Sequence, residues 1–427
     1  MQPDQYKPLG TMVTQAKTHL LYLAYVWPEP ASSAAGYRTM GLLQAFVEAG
    51  WEITFMSAAQ TGPHSLDLST LGIHPVQITL NSSDFDHLLQ SMHVDIVVYD
   101  RFMLEEQYAW RVNRYFPSAL KVLDTCDLHF IRRLREKHKL DFAVFEPENT
   151  DFFTPDSYRE LAAMYRCDLS LIISPAEMQL LQTQFQFPAR LLLKLGFMLP
   201  PPAQPTAFEH RQHFFMIGNA LHKPNLDAIH WFAQKIWPGI QHALPQAECH
   251  IYGAYFPQSL QQYHRPEQGL HIMGRAEQLP ELMSRYRINL APLRFGAGLK
   301  GKIIDGFQQG LPCVSTAIGA EGMCEQHAFG GLIADNEKDF QAACIRLYQD
   351  RTDWQQLQTA AINCLHAHQY LPLKEKLLER IVLQQQQLME IRSQNFTGSM
   401  LNYHLHQSSQ YLSRWIELKN DKTTKQP

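Results

Sequence analysis

The sequence predicts an α/β protein of two doubly wound domains facing a cleft, followed by a helical extension. Three observations predict it. Over the first two hundred residues, short runs rich in Val, Ile, Leu and Tyr alternate with helix-period segments. A stiff break then carries Pro200, Pro201, Pro202 and Pro205, after which the alternation restarts. Beyond Phe340 the periodicity is helical throughout. Strands alternating with helices imply a parallel sheet covered on both faces, with ligands bound outside the carboxyl ends of the strands.

In order, strands are expected at 19–27, 52–57, 74–78, 96–99, 121–124, 169–174 and 191–195, and helices at 37–49, 84–92, 105–116 and 155–165. Thr154 with Pro155 is a helix start, and Gly50 a helix stop. After the prolines come strands at 213–217, 248–252, 270–273, 287–291, 311–316 and 331–334, with helices at 226–243, 279–286 and 302–309. Long helices follow at 354–368, 373–392 and 400–418, and the tail from Asn420 reads as frayed. The expected division is a Rossmann-like domain over 1–198, a linker over 199–212, a second Rossmann-like domain over 213–372, and C-terminal helices over 373–427.

With 427 residues, 45% hydrophobic and 18% charged, the chain is long enough for two cores. A net charge of −4 supplies no field for holding nucleic acid. Seven scattered cysteines without a C-x-x-C pair read as buried thiols in a reducing compartment. No apolar leader stands in the first 17 residues and no run is long enough for a membrane span, so a cytoplasmic location is expected. The histidine pairs His366/His368 and His404/His406 are spaced to different helix faces and read as surface residues rather than a metal site.

Residues 291–322, A-P-L-R-F-G-A-G-L-K-G-K-I-I-D-G-F-Q-Q-G-L-P-C-V-S-T-A-I-G-A-E-G, read as strand, glycine loop, helix and strand. A loop that opens a helix at a strand's carboxyl end presents unpaired N–H groups and a positive helix end to an anion. Neither the G-x-x-x-x-G-K-[ST] nor the G-x-G-x-x-G spacing is present, so a different phosphate reader is required.

The ordered segments F-F-M-I-G-N-A-L-H-K-P-N-L-D-A-I-H-W-F (214–232), H-I-M-G-R-A-E-Q-L-P-E-L (271–282) and A-P-L-R-F-G-A-G-L-K-G-K-I (291–303) resemble the GT-B glycosyltransferases of family 4, glycosyl transferases group 1. The first domain matches more loosely, through A-A-G-Y-R (34–38), L-D-T-C-D-L-H (123–129) and S-P-A-E (174–177). The family usually carries two glutamates separated by seven residues. Here the second position is Asp305 and the first is Ala297.

The resemblance implies roles for particular residues. Asp305 would accept hydrogen bonds from the nucleotide ribose, the alternative being plain helix surface. With Ala297 carrying no carboxylate, backbone N–H groups of Gly298, Leu299 and Lys300 would read more of the sugar. Lys300 and Lys302 would neutralise the departing diphosphate, the alternative being solvated loop lysines; Lys223 in H-K-P-N resembles the family's phosphate lysine, with Asn219 where an arginine is common. His129 would lie beside the donor sugar or cap a loop. Gly36, Gly218 and Gly296 would let backbone approach the ligand, Gly274 and Arg275 would flank the base, and Glu321 is either a sugar contact or loop charge.

The implied function is a retaining glycosyltransferase acting on a nucleotide-diphosphate sugar and an unidentified acceptor (glycan, lipid-linked saccharide or protein). The alternatives are a catalytically weakened nucleotide-binding or scaffold protein and a nucleotide-sugar epimerase. No cofactor and no metal are expected, since no ligand cluster shows at useful spacing. No G-x-S-x-G elbow supports a serine nucleophile. The C-terminal helices are expected to pack across the first domain, with a homodimer or a peripheral membrane contact as alternatives.

Overall fold

Residues 17–138, 151–202, 204–325 and 327–424 are described by the structure, a computed structural model. In the first domain β1 (His19–Ala24), α1 (Ala34–Glu48), β2 (Glu52–Ser57), β3 (His74–Gln77), α2 (Ser83–Gln90), β4 (Ile96–Asp100), α3 (Phe102–Tyr115) and β5 (Leu120–Asp124) come first. They are followed by α4 (His129–His138), α5 (Pro155–Arg166), β6 (Leu169–Ile172), α6 (Pro175–Thr183) and β7 (Leu192–Lys194). The seven strands pair in parallel in the order β3-β2-β1-β4-β5-β6-β7. The central strands β4 and β5 are buried at every residue, as continuous apolar runs must be when helices cover both faces.

Thr154 and Ser157 close a reciprocal cap at the start of α5, with Pro155 in the first turn. The helices α4 and α6 were not foreseen. In H-F-I-R-R-L-R-E-K-H the apolar residues Phe130, Ile131 and Leu134 fall on one helix face, and α4 buries Phe130 and Ile131 with Leu134 packed beside them. Its first turn is held by the Glu160 carboxylate, which accepts from the N–H groups of His129 at 3.1 Å and Phe130 at 2.9 Å.

The second domain runs β8 (Gln212–Ile217), α7 (Lys223–Trp231), α8 (Trp237–Ala243), β9 (Cys249–Tyr252), β10 (Leu270–Gly274), α9 (Leu279–Met283) and β11 (Tyr286–Ala291). It continues through α10 (Gly301–Gln308), β12 (Cys313–Ser315), α11 (Ala317–Ala320), β13 (Gly331–Ile333), α12 (Glu337–Gln349) and α13 (Arg351–Cys364). Its sheet is again parallel, in the order β10-β9-β8-β11-β12-β13. The single helix expected over 226–243 is interrupted by a wide π turn at Phe232–Ile236, where Pro238 cannot donate to the helical ladder.

Beyond residue 365 the chain crosses back. Leu199 donates its N–H to His368 and accepts from Tyr370, so the two crossings lie side by side. Then α14 (Tyr370–Gln386), α15 (Leu388–Ser393) and α16 (Phe396–Thr424) follow. Leu377, Ile381 and Leu388 join the first-domain core around Leu20, Tyr22 and Phe46. Arg392 grips the Asp168 carboxylate with two bonds of 2.8 Å. A frayed tail from Asn420 is corrected: α16 continues to Thr424, and residues 425–427 lie outside the described residues. Among the described residues no helix is long and apolar enough to cross a membrane.

Two further expectations change. Cys324 and Cys364 form a disulfide between the loop after α11 and the end of α13, while Cys126, Cys167, Cys249, Cys313 and Cys344 are free. His368 is buried at 3% exposure in a tight turn, against Gly196, where a Cβ would come within 2.6 Å of the ring. His366 and His404 are exposed, and the side chain of His406 lies outside the described residues.

Candidate functional site

The carboxyl ends of the two sheets face each other and meet at loop tips. Glu177, in the first turn of α6, accepts from the N–H groups of Leu128 in the first domain at 2.9 Å and of Gly298 in the second at 2.8 Å. Arg135 of α4 reaches across to the Gly296 carbonyl at 2.9 Å and to the Glu321 carboxylate at 2.7 Å. Tyr255 donates to Glu29 at 3.1 Å and Lys223 to Glu136 at 2.7 Å, both across the cleft. A Cβ on Gly301 would stand 2.6 Å from that of Ala34, so the first turns of α10 and α1 abut. The cleft is closed.

The glycine loop follows β11, between the two halves of the sheet order where β8 and β11 diverge. Gly298 has φ +63° and packs against Asp127 and the Cys126 carbonyl, a close approach that a side chain would block. The Gly298 N–H is committed to Glu177, and the Lys300 N–H to the Met323 sulfur at 3.3 Å. That corrects the expectation that these two amides read the sugar. Leu299 packs between the domains with Ile173 and Phe197. The N–H groups of Leu299, Gly301 and Lys302 have no protein acceptor among the described residues.

Lys300 is buried at 8% exposure, with Nζ donating to the Gly298 carbonyl at 2.6 Å. Burial lowers its ammonium to about 8, against the opposing pull of Glu321. It is therefore a buried brace of the loop in this closed form, not a solvated lysine. Lys302, likewise lowered to about 8 by burial, donates to Asn225 at 2.7 Å. Asn225 in turn donates to the Asn219 carbonyl at 2.9 Å, and a Cβ on Gly218 would collide with it. The loop after β8 is thus tied to the start of α10, next to Lys223.

Asp305 is half-buried one turn into α10, with no hydrogen-bond or ion-pair partner among the described residues. Burial pushes its carboxyl up to about 7. The Tyr37 phenol lies near enough to feel the Asp305 charge. A half-buried carboxylate without such a partner keeps its hydrogen-bonding capacity unspent among the described residues.

His129 opens α4 with its ring buried between Asp127 and Glu160 and edge-on to Phe102. Its Nδ1 lies 3.1 Å from the Asp127 carbonyl. Glu321 is paired with Arg135; burial alone would raise its carboxyl, but the guanidinium holds it below the ordinary value. Gly36 is held by packing: a Cβ there would lie 2.6 Å from the Glu29 carbonyl oxygen. Gly274 has φ +76° with open space around it, and Arg275 beside it is exposed.

Several residues were missed in the sequence. Glu177 lay within S-P-A-E and was not singled out. Arg135 falls in α4, whose short apolar face of Phe130, Ile131 and Leu134 was the signal for it. Asp127, paired with Arg132, and Arg101, over the Tyr25 ring at 5.0 Å, also stand at the strand ends. Burial, with Asp127 nearby, raises the Glu177 carboxyl to about 8 despite the two amides that favour its charge.

Residues 211–350 match the family model described as Glycosyl transferases group 1. No curated protein matches the chain. Solved structures share its architecture at low identity. The pneumococcal O-GlcNAc transferase GtfA, in complex with UDP and GlcNAc, gives a TM-score of 0.65 at 10% identity, over 87% of this chain and 99% of that one. Sucrose-phosphate synthase from Thermosynechococcus elongatus gives 0.63 at 12%, over 86% and 99%. Anabaena HepE, in complex with UDP and glucose, gives 0.62 at 13%, over 86% and 100%.

Proposed function

With residues 211–350 a group 1 glycosyltransferase domain and the chain on a GT-B frame, we propose that this protein moves a glycosyl group from a nucleoside-diphosphate sugar to an acceptor held mainly by the first domain, with retention at the anomeric carbon. The observation that carries this is Asp305, a half-buried carboxylate one turn into the helix behind the glycine loop, without a hydrogen-bond or ion-pair partner among the described residues. Its two oxygens suit the paired hydroxyls of a ribose. The unengaged amides of Leu299, Gly301 and Lys302, the positive end of α10 and the Lys302 and Lys223 ammonium groups supply the field that a departing diphosphate requires. Lys300 and Gly296 hold the loop in shape, Glu321 and Arg135 hold the cleft shut, and Gly274 with Arg275 forms the open wall on which a base stacks. The buried His129 ring borders the sugar from the first domain. Closure excludes water from the donor, which favours transfer over hydrolysis.

A uridine donor is the first to test, because HepE and GtfA were solved with UDP. Incubation with UDP-glucose and UDP-GlcNAc, then with GDP- and ADP-sugars, each with a panel of saccharide, lipid-linked and protein acceptors, is followed by nucleotide release. Turnover of one donor is expected; a folded protein that consumes none refutes transferase activity. A second reading, nucleotide binding without transfer, draws on Ala297, a buried core residue where a carboxylate is usual. In that case calorimetry shows nucleotide binding while release stays at background.

A further inference from the structure

At the opposite end of the second sheet, away from the cleft, the strands assemble a cluster that the sequence spacing conceals. His250 and His271 are the second residues of β9 and β10 and stand directly opposite each other in the parallel register. Glu248 precedes His250 by two residues, so both side chains fall on the same face. The Glu248 Oε2 lies 3.0 Å from His250 Nε2 and 3.6 Å from His271 Nε2. One ligand atom from each of the three lies within 4.8 Å of the others.

The 3.0 and 3.6 Å separations from Glu248 bracket the spacing that a tetrahedral cation requires. Zinc bound at about 2.0–2.1 Å in a tetrahedron sets its ligand atoms roughly 3.3 Å apart. The His271 Nε2 is buried with no hydrogen-bond partner among the described residues, an orphan that a metal would satisfy. His250 has its outer atom already supported: Nδ1 lies 2.7 Å from the Tyr286 hydroxyl, whose oxygen is 3.1 Å from that of Tyr252. With a cation on Nε2, Nδ1–H donates to Tyr286, the support that ligating imidazoles ordinarily have. His213 and His264 flank the cluster, each accepting a backbone N–H through Nδ1 at 3.1 Å, from Glu248 and Ile272.

We propose that Glu248, His250 and His271 form a zinc site that clips the edge strand β10 to β9, with water in the fourth position. Two imidazoles and one carboxylate are a borderline-soft set that favours zinc over magnesium or calcium. The site lies at the amino ends of the strands, whereas the donor cleft lies at their carboxyl ends. Its role is thus to hold the sheet edge rather than to take part in transfer.

The test uses the full chain, stripped with chelator and titrated with ZnCl2, and then with CoCl2 for its visible d–d spectrum. One equivalent of zinc retained through gel filtration, a raised Tm and a tetrahedral cobalt spectrum are expected. Glu248→Gln and His271→Gln, each checked for fold by circular dichroism, should lower zinc affinity at least tenfold and abolish the cobalt band. His366→Gln, an exposed histidine elsewhere, should leave both unchanged. Less than a tenth of an equivalent bound by the parent chain overturns the site, as does zinc binding that the two cluster variants leave intact.

Discussion

Replacing Asp305 by alanine separates ligand recognition from stability. Among the described residues no protein group hydrogen-bonds or ion-pairs with this carboxylate, so its removal breaks no such bond. Its folded-state carboxyl is raised to about 7 by burial, so the parent pays for holding a charge there at neutral pH. Asp305→Ala is therefore expected to leave the Tm unchanged or slightly raised. Binding of UDP, which carries the ribose, loses charge-assisted hydrogen bonds, each of roughly 1.5–3 kcal/mol. Because two bonds to one carboxylate are not additive, the expected loss stays within that span, about 10- to 150-fold in Kd. Isothermal calorimetry with UDP and thermal denaturation measure the two effects on one preparation. A UDP Kd within twofold of the parent, or a large fall in Tm with affinity intact, refutes the assignment.

The same carboxyl predicts a pH dependence: below about 7 it is protonated, so UDP affinity should rise with pH through that value, and Asp305→Asn should flatten the profile. Gly301→Val places a Cβ 2.6 Å from that of Ala34, so the cleft cannot close as in the parent; kcat should fall at least about tenfold with UDP affinity nearly unchanged, since the donor residues share one domain. Cys364→Ser opens a cross-link spanning 40 residues, and chain entropy puts its stabilisation at about 4 kcal/mol, read as a lower urea midpoint that reducing agent reproduces in the parent.

The sequence by itself determined the architecture. Parallel strands buried on both faces must be continuous apolar runs, so β1, β2, β4 and β5 could be read within a residue or two of their starts, and four prolines marked the passage between sheets. It also brought Asp305, Lys300 and Lys302 to one loop–helix junction, because residues close in sequence stay close in space. Only tertiary structure decided what those groups are free to do. The Gly298 amide is occupied by a carboxylate 121 residues away in the chain, and Glu321 is held by Arg135, 186 residues away. The helix that carries Arg135 has its first turn capped by Glu160 from another helix, 30 and 31 residues away. Likewise Glu248, His250 and His271 meet only through strand register, and Cys324 and Cys364 only through the packing of α13. Local spacing specifies a turn or a strand face; which donor is consumed, which carboxylate is left unpaired and which ligands converge depends on contacts that the linear order does not encode.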